Sequence, residues 1–256
     1  METHRILVTG SQSGLGKYLL ENLPNTIGFT RKTKINFISR FSINTIIHCA
    51  NNKATNIQSP DLYKYLNDNI LLTHNLVKIP CKKFIYISTV DVYPKDGKVY
   101  DENKIINIEK IENLYGLTKL MSEKIVIRYN RNYLILRPTA LLGPYMKPNS
   151  LTKILKNNYI DFNLAGESKF NYVLYSDILR FIKYALKENT SGIFNLASRG
   201  NLSLLEIAKE LGKEDVPFGD YVYNIGNIDS SKINAIVPYF NKNTKRLLKK
   251  FKEKYK

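Results

Sequence analysis

The sequence predicts an α/β chain, a doubly wound parallel sheet with a small C-terminal α/β lobe. Three observations predict it. Runs of strand length at Ile6–Thr9, Ile27–Thr30, Thr45–His48, Lys83–Ser88 and Tyr133–Arg137 are largely apolar throughout, as strands covered on both faces are. Segments 15–22, 61–78 and 113–130 between them carry apolar residues at helical spacing. A glycine-rich turn, TGSQSGLG over Thr9–Gly16, sits where the first strand becomes the first helix.

Taken in order, the second strand ends in IGFTRKT, and a third is expected near 35–38. Only about forty residues separate Gly10 from Ala50, so little more than a turn remains before the strand at Thr45–His48. After about residue 145 the alternation loosens into a helix near 149–157, a helix at 176–187, a strand at 192–196 and a helix at 203–211. We read 1–145 as a nucleotide-binding domain, with parts of 170–200 returning to it, and 146–256 as a substrate-binding lobe ending in a helix. In the tail, Leu247, Phe251 and Tyr255 fall on one helical stripe, which docks while the basic face is solvated.

The chain carries 39 Lys and Arg against 22 Asp and Glu, a net charge of +17. Such a field attracts nucleic acid, anionic lipid or anionic metabolites. The excess is mostly Lys, in a chain also rich in Asn, Ile and Tyr. An AT-rich coding sequence gives that bias without selection for binding, so nucleic acid is not expected as a partner. No run of eighteen apolar residues predicts a membrane span, and METHR leads directly into a strand-like run, unlike a signal peptide. Cys49 and Cys81 form no metal-spacing motif, and His4, His48 and His74 are scattered. We expect a reduced, cytoplasmic protein without a metal centre.

With a strand before it and a helix after it, the glycine turn reads as a dinucleotide cradle. Gly10 makes the bend, Gly14 lets backbone approach a pyrophosphate, and Gly16 lets helix and strand pack closely. NAD-binding chains commonly end the second strand in a carboxylate for the ribose hydroxyls. Here Arg31 and Lys32 stand at that end with no acid nearby, which suits a 2′-phosphate. NADP(H) is therefore preferred and NAD(H) remains possible.

About a hundred residues after the turn comes YGLTKLMSEK, in which Tyr115 and Lys119 stand one helical turn apart on the same face. A nearby ammonium, helped by an oxidised nicotinamide, is expected to lower the phenol's pKa and let it exchange a proton with an alkoxide. The strand FIYISTVDVY ends in Ser88 and Thr89, whose hydroxyls could donate to a developing oxyanion. A hydroxyl that merely caps the turn is the competing reading, stronger for Ser88 than for Thr89.

TGSQSGLG, IIHCA, NDNILLTHNL, FIYISTVDVY, YGLTKLMSEK and LRPTALLGP occur in the order and spacing of extended short-chain dehydrogenase/reductases, the sugar-nucleotide epimerases, dehydratases and ketoreductases. The chain resembles that family well over 4–145 and weakly beyond, through NYVLYSD, GIFNLAS and LSLLEIAKEL. The resemblance implies a Rossmann-type domain with a small substrate-binding lobe and a catalytic triad of Thr89, Tyr115 and Lys119. It also implies cofactor contacts from Gly10, Ser13, Gly14, Leu15, Gly16, Cys49, Ala50, Asn69 and Pro138, beside Arg31, Lys32, Tyr115 and Lys119, and a homodimer through helix 113–130.

The departures narrow the reading. The turn has the spacing G-x-x-x-G-x-G, and Ala140 stands where relatives often have Asn. Val90-Asp91 replaces the Asp-Glu pair of the family's dehydratases, which removes the acid for the leaving hydroxyl. Lys169-Phe170 stands where many relatives have an Arg for the substrate's diphosphate, though Lys153 or Arg180 could compensate. The resulting expectation is an NADP(H)-dependent reductase of a keto group on a deoxy-sugar carried by a nucleotide, similar to dTDP-4-dehydrorhamnose reductases. An epimerase that retains its cofactor is the alternative among enzymes. A non-catalytic Rossmann protein that senses dinucleotide or binds nucleic acid is the alternative of another class.

Overall fold

The computed structural model describes residues 5–33, 38, 41–54, 57–160 and 162–255. Strand β1 (Arg5–Thr9) leads through the glycine turn into α1 (Gly14–Asn22), then β2 (Thr26–Phe29) and β3 (Ile43–His48). The strand expected near 35–38 falls on residues outside the description, apart from the buried Ile38, and His4 lies outside it as well. Helix α2 (Ser59–Leu66) runs through a π-helical turn (Asn67–Leu71) into α3 (Leu72–Leu76) and β4 (Lys83–Ile87). After a 3₁₀ turn (Val90–Val92) and β5 (Val99–Tyr100) come α4 (Leu114–Tyr129), β6 (Tyr133–Pro138) and β7 (Ala140–Leu142). The remainder is α5 (Ser150–Leu155), β8 (Lys169–Phe170), β9 (Tyr172–Leu174), α6 (Tyr175–Lys187), β10 (Gly192–Leu196), β11 (Leu202–Ser203), α7 (Leu204–Leu211), β12 (Asn227–Ile228), α8 (Ser231–Ile236) and α9 (Thr244–Tyr255).

Six strands form one sheet in the order β10-β6-β4-β3-β1-β2, and each neighbouring pair runs parallel. This is the doubly wound arrangement that the apolar runs predict. Successive strand residues point to opposite faces, and both faces are filled. Leu7, Ile46, Phe84 and Ile135 pack with Leu76 of α3 and Val126 of α4. Val8, Ile47, Ile85 and Leu134 pack with Leu15 and Leu19 of α1 and Ile178 and Phe181 of α6. Ile233 of α8 and Phe240 join this second cluster, an involvement of the C-terminal segment that the sequence did not suggest.

The lobe has its own core, built from α5, α7 and α9. Leu151 and Ile154 meet Leu204, Ile207 and Leu211, and Leu247 and Phe251 close it, so the tail docks through those two residues of its stripe, while the side chain of Tyr255 lies outside the description. Helix α7 begins with a reciprocal cap between Ser203 and Glu206. Asn171 ties lobe to sheet. Its Oδ1 accepts from Thr139 (3.0 Å) and from the Ser198 amide (2.9 Å), and its Nδ2 donates to the Ser198 carbonyl (2.8 Å).

A buried ion pair lies beneath the carboxyl end of the sheet. Arg137 of β6 grips Glu123 of α4 with both arms, Nε to Oε1 at 3.0 Å and a terminal nitrogen to Oε2 at 2.6 Å. Glu123 also accepts from Ser88, and Arg137 donates to the Tyr93 hydroxyl. Removing one member leaves an uncompensated buried charge. Arg137→Met is expected to cost about 3–5 kcal/mol in urea unfolding, and adding Glu123→Gln should recover most of that loss.

Candidate active site

In a doubly wound sheet, ligands sit at the carboxyl ends of the strands where the chain order reverses. That point here is between β1 and β3, since β2 lies on the other side of β1. Gly10 has φ +67° there, and a Cβ on it would lie 2.9 Å from the Ala50 nitrogen. A Cβ on Gly16 would drive into the Gly10 carbonyl, so α1 starts hard against the end of β1. Ser13 is the extended N-cap residue and makes no side-chain cap. In the first turn, the amides of Leu15 and Gly16 have no acceptor within the helix. They and the helix's positive end suit a pyrophosphate. The Gly14 amide donates to the Tyr145 carbonyl at 2.7 Å.

The Thr9 hydroxyl locks the two strand ends together. It accepts from the amides of Cys49 (3.1 Å) and Ala50 (3.0 Å), so its own proton goes to His48 Nδ1 at 2.7 Å. His48 then carries its proton on Nε2 and donates to Thr73 (3.0 Å), which donates to the Asn69 carbonyl (3.2 Å). Burial holds His48 down to about 3, so it stays neutral and is a structural strand-end residue. Burial pushes the Cys49 thiol up to about 12.

The next two residues reach across the site. Asn51 donates to the Tyr115 hydroxyl at 3.2 Å. Asn52 is clasped by Asn69, its amide donating to Oδ1 at 2.7 Å and its carbonyl accepting from Nδ2 at 3.0 Å. Asn69 thus acts first as a support for the strand end. Pro138 is buried at the end of β6.

Tyr115 enters on the first turn of α4, capped by Asn113, whose Oδ1 accepts from Gly116. The helix comes so close to the 3₁₀ turn that a Cβ on Gly116 would collide with the Asp91 carbonyl. The Lys119 ammonium donates to the Ile87 carbonyl at 2.7 Å and lies 5.9 Å from the centre of the Tyr115 ring. Burial, with Lys53 nearby, brings Lys119 down to about 7. The lowered phenol pKa expected from the sequence is not found in the cofactor-free chain. Burial and the Asp91 carboxylate push Tyr115 well above its ordinary value, opposed by the Asn51 hydrogen bond.

The two strand-end hydroxyls have opposite roles. Ser88 points inward to Glu123, and Thr89 caps the 3₁₀ turn. Thr89 Oγ1 accepts from the Asp91 amide (3.2 Å) and donates to its carboxylate (3.1 Å), so it must rotate to donate to a substrate. Asp91 also accepts from Tyr223 of the lobe at 3.0 Å and pairs with Lys95 at 3.3 Å.

Several site residues carried no signal strong enough to single them out. Asn51 and Lys53, whose ammonium lies 5.6 Å from the Tyr115 ring centre, directly follow a strand end and were open to that inference. Tyr223 gave no cue. Arg31 has an acid after all, brought by the fold: it donates to Asp68 at 2.8 Å. Lys32 is exposed beside it. Of the cations considered for a diphosphate, Arg180 stacks on Tyr239 and Lys153 donates to the Ile160 carbonyl.

Residues 6–197 match the NAD dependent epimerase/dehydratase family. The chain belongs to that family. It is 26% identical over 200 residues to a dTDP-D-glucose 4,6-dehydratase of Dictyostelium discoideum, covering 69% of this chain and 46% of that protein. The chain spans about half the length of the curated dehydratases it matches. Its fold resembles the dTDP-4-dehydrorhamnose reductase of Bacillus anthracis in complex with NADP, at TM-score 0.81, 19% identity and coverage of 97% and 98% of the two chains. It also resembles the UDP-glucuronic acid 4-epimerase of Bacillus cereus in complex with UDP-glucuronic acid and NAD, at TM-score 0.79, 21% identity and coverage of 98% and 100%. Among the described residues, no helix is long and apolar enough to cross a membrane.

A lysine near 7 in the folded chain and at 10.5 when unfolded makes stability depend on pH. Between those values the unfolded chain holds a proton that the folded chain has released, so stability rises with pH through the window. The penalty is complete below about pH 7. Lys119→Met should therefore stabilise the cofactor-free protein more at pH 6 than at pH 9, read as the shift in urea midpoint at each pH.

Proposed function

We propose that this chain is an NADP(H)-dependent oxidoreductase that reduces a keto group of a nucleotide-activated deoxy-sugar. The observation that carries the reading is a half-buried phenol, Tyr115, with Lys119 one turn along its helix and the Lys53 ammonium 5.6 Å from its ring centre. The cradle at Gly10–Gly16 suits a dinucleotide, whose reduced nicotinamide supplies hydride when bound. Tyr115 delivers the proton to the nascent alkoxide, and Lys119 is the cation that favours the phenolate left behind. Thr89, turned from Asp91, donates to the same oxygen.

Asp91 favours reduction over dehydration. Its carboxylate already accepts from Thr89, Tyr223 and Lys95, and Val90 beside it has no proton to give. A cofactor-retaining epimerase uses the same three residues and is the second reading, favoured by the Arg31–Asp68 pair, which offers an acid to the ribose. A homodimer through α4 accords with the exposed apolar side chains of Leu114, Met121 and Tyr129.

The test is to identify any dinucleotide released on denaturation and to assay NADPH oxidation with a dTDP-4-keto-6-deoxy sugar. Turnover that falls by about a hundredfold or more in Tyr115→Phe, with NADPH binding retained, is the expected result. Tightly held NAD⁺ and sugar epimerisation without net cofactor use would move the reading to the epimerase.

A further inference from the structure

Asp68 sits on the π-helical turn Asn67–Leu71, and such turns are frequent at functional sites. The widened turn aims two consecutive side chains at one target. Asn69 clasps the backbone of Asn52, and Asp68 Oδ2 accepts from the Asn52 side chain at 3.1 Å. The same oxygen accepts from Arg31 at 2.8 Å. Arg31 follows β2 and Asn52 follows β3, so the pair spans the carboxyl end of β1, which lies between those strands. An adenosine ribose, leading away from a pyrophosphate on the glycine turn, reaches that span. The partners are unequally committed. The Asp68 side chain is 17% exposed and fixed by Asn52, whereas Arg31 is 73% exposed and free to swing.

We propose that Asp68 selects the coenzyme, working against Arg31. The inference rests on the dinucleotide reading above. Free 2′- and 3′-hydroxyls donate to Asp68 while Arg31 stays paired with it. A 2′-phosphate must draw Arg31 off Asp68 and then lie beside an uncompensated carboxylate. The pair thus narrows the preference for NADPH that Arg31 alone would give, and the discriminating acid comes from the helix after β3 instead of the end of β2.

The experiment titrates cofactor-free protein with NADPH and NADH by nicotinamide fluorescence, for the wild type, Asp68→Asn and Arg31→Ala. Asp68→Asn should raise the ratio of NADPH to NADH affinity by about tenfold, and Arg31→Ala should lower it by a similar factor, the worth of one charge-assisted hydrogen bond. If the wild type binds both and Asp68→Asn leaves the ratio within about twofold, the inference fails while the dinucleotide reading stands. If the wild type binds neither, the reading fails and takes the inference with it. The isosteric amide keeps the Asn52 contact, and Arg31→Ala changes only an exposed side chain, so either arm reports if the other unfolds.

Discussion

The carboxyl ends of β1 and β3 approach so closely that a Cβ on Gly10 would lie 2.9 Å from the Ala50 nitrogen. The Thr9 hydroxyl fastens that approach by taking both the Cys49 and Ala50 amides. With those amides fixed, the chain leaves the sheet toward Tyr115 and the π-helical turn. Asn51 then meets Tyr115, and Asn52 meets Asn69 and Asp68. A single hydroxyl therefore registers the glycine turn, the Tyr115 phenol and the Asp68–Arg31 pair against each other. His48 serves the same registration: being neutral, it passes the constraint to Thr73 and the π-helical turn without adding a charge beside Lys119.

Burial raises Tyr115 and lowers Lys119, which shifts each toward its uncharged form. A phenol that gives up its proton leaves a phenolate, which a neighbouring ammonium stabilises. Lys53 disfavours the ammonium and Asp91 disfavours the phenolate. On the reading proposed above, the oxidised nicotinamide of a bound dinucleotide would supply positive charge that offsets the desolvation of the phenolate.

Elements whose signal is local were legible in the sequence. Five of the six sheet strands began as apolar runs and the sixth as a short strand of the looser C-terminal part, and the glycine turn, the Tyr115–Lys119 spacing and the docked tail followed from residues close together in the chain. What escaped depends on distance in sequence. Asp68 lies 37 positions from Arg31, and Tyr223 lies 132 from Asp91. No periodicity connects such pairs, because they meet only after the crossover helix and the lobe have packed. The exchange of roles between Ser88 and Thr89 escaped for another reason. Two adjacent hydroxyls at a strand end look equivalent until Glu123 and the 3₁₀ turn claim one each.

The Glu123–Arg137 pair is costly to bury, and its position explains why it sits where it does. Lys119 is held by the Ile87 carbonyl, and the next residue, Ser88, gives its hydroxyl to Glu123 and its amide to Leu136. The peptide that presents the carbonyl to Lys119 is thereby gripped from its other side. Arg137 fixes Glu123 from β6, and Tyr93 and Asn195 extend the grip to β10. A rigid acceptor, held by a bidentate pair in the core, keeps the Lys119 nitrogen 5.9 Å from the Tyr115 ring centre.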